Sequence, residues 1–141
     1  MTIPARSHGF SLVEVLLVLA IIGIISGIAI PSYLGQRRRA QVIGDAITNA
    51  KVLAMALETR RADTGIYGAN GTYGWKADGS DTTGPALVPT FNPVNYSKMN
   101  YTVVIANGGL TYTLNVFYLP LSATTVAYQT DQTGAELARL H

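Results

Sequence analysis

An apolar stretch runs from Phe10 to Ile30 near the start of this chain and contains one ionisable residue, Glu14. An α-helix over residues 10–30 would extend about 30 Å, which is the thickness of the hydrocarbon core of a bilayer. The sequence therefore predicts a helix that can lie in a membrane. A carboxylate in such a helix costs on the order of 3 kcal/mol at the bilayer centre and less near its edge. Glu14 therefore requires a specific explanation.

The residues that flank this stretch differ from those of a secretory signal peptide. A signal peptide has a small-residue cleavage site after its apolar region, whereas here Pro31 follows directly and no Ala-x-Ala site comes after it. The small residue lies before the stretch, at Gly9. Cleavage after Gly9 would remove residues 1–9 as a short leader and make Phe10 the new N-terminus. Glu14 would then be the fifth residue.

The composition limits the classes of function. The chain has no cysteine and two histidines, His8 and His141. A disulfide framework, a thiolate metal site and a histidine-based catalytic triad therefore lack the residues they need. An enzyme is the least favoured class, and no cofactor is expected.

The segment Gly9–Glu14, followed by a long apolar helix, resembles the processing site of bacterial type IV pilins and type II secretion pseudopilins. Pro31 is the twenty-second residue after the cleavage point, where this family commonly has a proline. The close match covers roughly residues 6–40. The resemblance implies cleavage between Gly9 and Phe10 by a prepilin peptidase and N-methylation of Phe10. It also implies a C-terminal domain outside the inner membrane, and self-assembly by the pilus machinery into an extracellular helical filament.

Two explanations of Glu14 follow. In the first, the carboxylate lies near the membrane interface and reaches the headgroups. In the second, which the motif favours, it pairs with the Phe10 amine of a neighbouring subunit. Two such charges about 4 Å apart attract by roughly 4 kcal/mol at an effective dielectric constant of 20, before desolvation is subtracted.

Gly23, Gly27 and Pro31 are predicted to make residues 23–31 the softest part of the helix. Proline lacks an N–H, its ring opposes the carbonyl of Gly27, and glycine weakens a helix interior. Gly23 and Gly27 also form a G-x-x-x-G pattern, for which helix dimerisation is the alternative explanation.

Residues 32–62 are predicted to continue as an amphipathic helix that ends at Asp63-Thr64-Gly65. The apolar stripe recurs every three or four residues and should pack onto a sheet; it comprises Val42, Ile43, Ala46, Ile47, Ala50, Leu53, Ala54 and Leu57.

Arg37, Arg38 and Arg39 conflict with the outward orientation, because a count of positive charges would keep the C-terminal domain in the cytoplasm. We follow the motif and interpret the triplet as a collar at the membrane exit. Pairing with acids of neighbouring subunits is a second interpretation. A nucleic-acid contact ranks last, because no clustered basic face follows in the sequence.

Residues 65–99 are rich in glycine, asparagine and proline and are predicted to form a surface loop with short elements at most. Four aromatic residues should anchor this loop to the domain: Tyr67, Tyr73, Trp75 and Phe91. The segment Asp78–Asp81 offers oxygen ligands for Ca²⁺, but its four residues fall short of a full coordination set, so a solvated turn is favoured.

The C-terminal part is predicted to contain strands at Tyr101–Ile105 and Thr111–Tyr118, joined as a hairpin through Asn107-Gly108-Gly109. A third strand is predicted at residues 123–129, and a short helical turn or a frayed end at residues 134–141. The expected fold class is α+β, a long N-terminal helix packed on an antiparallel sheet, as in pilins. The expected organisation is a leader at 1–9, a membrane or filament-core helix at 10–31 and a globular head at 32–141.

The sequence thus favours a structural subunit of a type IV pilus-like filament. A type II secretion pseudopilin or a minor pilin is the alternative within the same family. A single-pass membrane-anchored binding module is the alternative from another class.

Overall fold

The computed structural model describes residues 9–80, 83–93, 98–122 and 124–140. The chain divides into two compact units, Met1–Arg38 and Arg39–His141. We call the first the N-terminal unit and the second the head, and we describe each by itself.

The N-terminal unit contains the first part of helix α1, which spans Leu12–Thr64. The predicted helix is confirmed, and it continues through Pro31. Apart from half-buried Ser26, every described residue of this unit is exposed. No packing within the unit therefore covers its apolar side chains.

The head contains the second part of α1, and the apolar stripe predicted there is confirmed. Ala46, Ala50, Leu53 and Leu57 are completely buried. A further set of partly buried residues packs against the same core: Val42, Ile47, Ala54 and Ala56. One side of the helix therefore supplies one wall of the core.

Helix α1 ends as predicted. Gly65 adopts a left-handed conformation with φ of 83°, and its N–H donates to the Arg61 carbonyl at 2.8 Å. A residue just past a helix end commonly takes this conformation, and glycine does so without a Cβ penalty. Tyr67 then secures the chain, because its hydroxyl donates to Glu58 at 2.7 Å and accepts from Arg61 at 2.9 Å.

Five antiparallel strands form a sheet in the order β1-β2-β3-β4-β5. Their bounds are β1 Gly71–Trp75, β2 Met99–Ala106, β3 Thr111–Tyr118, β4 Val126–Asp131 and β5 Glu136–Arg139. A short helix, α2, covers Thr83–Leu87 between β1 and β2. The α+β class and the antiparallel sheet are as expected.

The predicted hairpin joins β2 to β3. Its turn, Asn107–Gly109, has positive φ at all three residues: 52°, 67° and 87°. Glycine and asparagine tolerate this region best, which explains why this sequence turns here. The inward face of β3 carries buried Tyr112, Leu114 and Val116, as the alternation predicts.

Residues 65–99 contain short elements, as predicted, and the structure differs from expectation at the C-terminal edge of the sheet. Residues 65–99 include β1, which pairs with β2 through contacts such as Tyr73 with Val103. Residues 136–139 form β5 rather than a helical turn or a frayed end. Pairing with β4 overrides the weak strand preference of the Glu-Leu-Ala-Arg sequence, since strand formation depends strongly on context.

The aromatic residues predicted to anchor the loop do pack on the head. Tyr67, Trp75 and Phe91 are buried, and Tyr73 packs partly buried against the core. Phe91 makes edge-to-face contacts with Trp75 and Tyr101, at centroid distances of 5.7 and 5.1 Å. These contacts fix the segment between α1 and β2.

Candidate functional site

The candidate site is the start of α1 in the N-terminal unit. Gly9 and Phe10 precede the helix, and Phe10 is 89% exposed. The bond between them therefore lies in an exposed segment just before the first helical turn.

Ser11 and Glu14 form a capping box at this helix start. The Ser11 N–H donates to Glu14 Oε2 at 2.8 Å, and the Val13 N–H donates to Ser11 Oγ at 3.3 Å. Both bonds satisfy amides that a helix start leaves without partners. The negative carboxylate also suits the positive end of the helix dipole.

This box was not predicted, although the Ser-x-x-Glu spacing that signals it is present at residues 11–14. The structure thus gives Glu14 an intramolecular partner that neither earlier explanation included. This bond engages one of its two carboxylate oxygens.

The carboxylate borders an apolar concavity. A cavity of about 290 Å³ is lined by Phe10, Glu14, Val15, Val18 and Leu19. This arrangement places an anion beside an apolar surface. It suits a group that carries a positive charge next to an apolar side chain.

Beyond the cavity, the unit exposes an apolar surface on all sides. Leu12, Ile24 and Ile28 are each more than two thirds exposed. Within the described part of the chain, α1 is the helix that is long and apolar enough to cross a membrane. An exposed surface of this size marks a membrane or protein contact.

The predicted softening residues lie within this exposed helix. A Cβ at Gly23 or Gly27 would meet no atom within 4 Å, so no contact inside one copy requires glycine there. Arg37, Arg38 and Arg39 are also exposed.

The acidic segment at residues 78–80 forms a turn. The Ser80 N–H donates to Asp78 Oδ1 at 2.9 Å, and hydrogen bonds from Ser80 hold the pKa of Asp78 below its usual value. Asp81 lies outside the described residues. The described residues contain no group of three metal-ligating His, Cys, Asp or Glu side chains.

Comparison with known proteins finds a motif in the N-terminal segment and two similar proteins. Residues 4–30 match the prokaryotic N-terminal methylation motif. The chain is 39% identical to a fimbrial protein of Moraxella nonliquefaciens over 74 residues, which is 52% of this chain and 42% of that protein. It is 32% identical to the type IV major pilin protein PilE1 of Neisseria gonorrhoeae over 103 residues, which is 73% of this chain and 42% of that protein.

The matched parts thus span less than half the length of these curated relatives. No solved structure matches the chain. The methylation motif opens the long helix α1, and the second part of that helix packs on the core of the head. In its matched parts the chain is similar to a fimbrial protein and to a type IV major pilin.

Proposed function

We propose that this chain is a structural subunit of a type IV pilus-like filament and assembles through the first part of α1. The observation that carries this proposal is the exposed apolar helix that follows an exposed Phe10 and contains Glu14. A monomer in water would not keep such a surface uncovered, because burying apolar area is favourable by about 25 cal/mol per Å².

In this proposal a prepilin peptidase cleaves between Gly9 and Phe10, and Phe10 is then N-methylated. The methylation motif at residues 4–30 supports both steps. The subunit is held in the inner membrane with its head outward until the assembly machinery transfers it into an extracellular pilus. Lipid covers the apolar helix before this transfer, and neighbouring helices cover it afterwards.

Glu14 then selects a neighbour. Its carboxylate and the apolar cavity beside it fit the two features of a mature N-terminus, a charged amine and the Phe10 ring. The capping box holds the carboxylate near the helix start through one oxygen, which leaves the other oxygen to accept from the neighbour's amine. The helix can lose its regular structure locally at Gly23, Gly27 and Pro31 as it packs on neighbouring helices.

Replacement of Glu14 by valine tests the assembly role. Glu14→Val should leave membrane insertion intact, because it removes a charge from an apolar helix, but it should strongly reduce the yield of sheared filaments. Fractionation and electron microscopy measure the two quantities. Asp45→Asn, which removes an exposed acid from the same helix, should retain the wild-type yield. Wild-type filament yield from Glu14→Val would disprove the assembly role of this carboxylate.

The two relatives are a fimbrial protein and a type IV major pilin, which favours a main pilus subunit over a pseudopilin or a minor pilin. A strain that lacks this chain should therefore have no surface filaments of this type. Mass spectrometry of filament protein should find methylated Phe10 as the first residue. If the protein instead keeps residues 1–9, a single-pass membrane anchor is favoured.

A further inference from the structure

The sheet has a second face, on the side away from α1. Along β2 and β3, alternate residues such as Val103 and Leu114 are buried in the core, and the residues between them point to the opposite side. We call that side the outer face. Its central residues are each half-buried or exposed: Thr102, Val104, Thr113, Asn115, Phe117 and Gln129.

Strand pairing places three polar side chains of the outer face in one row. Thr102 pairs with Asn115, and Asn115 pairs with Gln129. Because neighbouring strands lie about 4.8 Å apart, the row presents a hydrogen-bonding side chain at about that interval. We call these three residues the polar row. Its straight, regular spacing suits a ligand that is itself extended and built from repeating units.

The polar row is available to a ligand. Within the described part of the chain, its hydroxyl and amide groups make no side-chain hydrogen bond, and none of them is among the buried polar atoms without a partner, so they reach solvent. Two other asparagines of the head differ, because Asn70 accepts from the Gly109 N–H and Asn107 donates to the Thr111 hydroxyl. The polar row can therefore donate to and accept from a ligand without losing an internal bond.

The charge of the outer face limits what that ligand can be. Across β2, β3 and β4 the charged residue on this face is Asp131, which accepts from the N–H and the hydroxyl of Thr133 at 2.8 and 2.6 Å. Nucleic acids and anionic lipids are bound through lysine and arginine, which these three strands do not place here. Two sheets pack face to face through apolar side chains, so the polar row also disfavours a second sheet. An uncharged, hydroxyl-rich ligand fits best.

Phe117 adds an aromatic surface beside the polar row. It lies two residues after Asn115 on the same face of β3, it is half-buried, and it does not belong to the core. The face of an aromatic ring carries partial negative charge, whereas the C–H groups on one side of a sugar ring are apolar and slightly positive. A sugar can therefore stack on Phe117 while its hydroxyls bond to the neighbouring amides.

We infer that the outer face binds an extended, uncharged polysaccharide. The polar row bonds to its hydroxyls, and Phe117 stacks on one of its sugar rings. A β-linked glucan such as cellulose has the required shape, because its chain is straight and carries hydroxyls along both edges. This inference goes beyond the proposed function, since binding requires a folded head and no filament. In a filament, many copies of the outer face would act together and raise the avidity.

Retention of the full chain on cellulose tests the inference. The chain in detergent micelles should bind cellulose powder and be released by soluble cellohexaose. Replacement of both Asn115 and Gln129 by alanine should weaken the affinity for cellohexaose about tenfold, because each lost hydrogen bond is worth a factor of about 2–10. Gln41→Ala removes an exposed amide from α1 and should keep the wild-type affinity.

Substitutions of similar shape separate binding from folding. Phe117→Leu keeps an apolar side chain but removes the ring, so it should weaken binding, whereas Phe117→Tyr keeps the ring and should retain it. Asn115→Asp has nearly the shape of the original residue but loses two donors and gains a charge, so it should also weaken binding. Circular dichroism should be the same for all these variants and the wild type.

Several outcomes would overturn the inference. One is a wild-type chain that cellulose does not retain, and another is equal affinity of the wild type and the double alanine variant for cellohexaose. Tighter binding to DNA or to carboxymethylcellulose than to cellulose would show that the ligand is an anion instead. Filament formation is scored separately. A chain that binds cellulose but forms no filaments would disprove the proposed function and leave the binding site standing.

Discussion

Ser11 contacts three groups in the first turn of α1. Its N–H donates to Glu14, its hydroxyl accepts from Val13, and its carbonyl accepts from the Val15 N–H at 3.3 Å. At membrane depth these bonds matter more than in water, because an unpaired amide in hydrocarbon costs several kcal/mol. One serine therefore pairs backbone groups that the start of an apolar helix would otherwise leave without partners.

Replacement of Ser11 by alanine should weaken this start by about 1 kcal/mol, the usual cost of losing a side-chain cap. Amide exchange of Val13 in detergent micelles should be faster in Ser11→Ala than in the wild type. Ser32→Ala changes a serine in the interior of the same helix and should leave Val13 exchange unaltered. An unchanged exchange rate in Ser11→Ala would show that the hydroxyl does not cap the helix.

The head should become less stable at high pH because of the phenols of Tyr67 and Tyr112. Burial raises the pKa of both phenols, and nearby Glu58 raises them further. An unfolded tyrosine loses its proton near pH 10, so above that pH the unfolded state binds fewer protons than the folded state. The free energy of unfolding should therefore fall as pH rises beyond about 10.

Urea denaturation across this pH range measures the effect. Tyr112→Phe should reduce the slope of stability against pH, because the variant has no phenol to ionise there. Tyr33→Phe changes an exposed tyrosine of the N-terminal unit and should keep the wild-type slope. An identical slope in Tyr112→Phe would exclude Tyr112 as a source of the dependence.

At the scale of elements, α2 is fixed against β1 by a close approach at Gly84. The Gly74 N–H donates to the Thr83 hydroxyl at 2.9 Å, and a Cβ at Gly84 would overlap the Trp75 ring and the Gly74 carbonyl. The short helix therefore approaches the strand more closely than any residue larger than glycine allows.

Gly84→Ala should destabilise the head by about 1–3 kcal/mol, as overpacking usually does. Thermal unfolding followed by the fluorescence of Trp75, the one tryptophan of the chain, measures this change. Gly44→Ala has open space around its Cβ and should stabilise the helix by up to about 1 kcal/mol. A Gly84→Ala variant as stable as the wild type would show that the helix and strand can separate without cost.

The sequence predicted the elements whose patterns are local. The core stripe of α1, its end at Gly65 and the hairpin at Asn107–Gly109 each follow from spacing or turn chemistry. Strand β1 was not located from the sequence, because Gly71 and Gly74 interrupt its alternation of polar and apolar residues. Its pairing with β2 also depends on residues about 30 positions away. Strand β5 was not predicted, because its residues favour a helix and only its pairing with β4 makes it a strand.

The same distinction applies to the candidate site. Gly9, Phe10 and Glu14 stand out as a motif, and their roles in cleavage, methylation and assembly remain predictions. The capping box could have been predicted from the Ser-x-x-Glu spacing. It was not, because Glu14 was explained only by its place in an apolar helix.

At the scale of the whole molecule, our proposal places the head outside the inner membrane, whereas the charges alone would place it in the cytoplasm. Arg37, Arg38 and Arg39 would hold a head in the cytoplasm by charge counting. We expect alkaline phosphatase fused after His141 to be active in intact cells, because this enzyme folds only after export. A fusion of the reporter before the apolar segment is the control and should be inactive. Activity confined to the control would reverse the orientation.

The edge of the sheet at β5 also affects whether heads that lie close together pair with one another. β5 ends the strand order, and an uncovered strand edge invites pairing with other chains. This edge carries an ion pair between Arg139 Nε and Glu136 Oε1 at 3.4 Å, and the register of β4 with β5 shifts between Gln129 and Thr130. Charge and irregular register both oppose pairing between the β5 edges of two heads, so heads held close together can remain separate from one another.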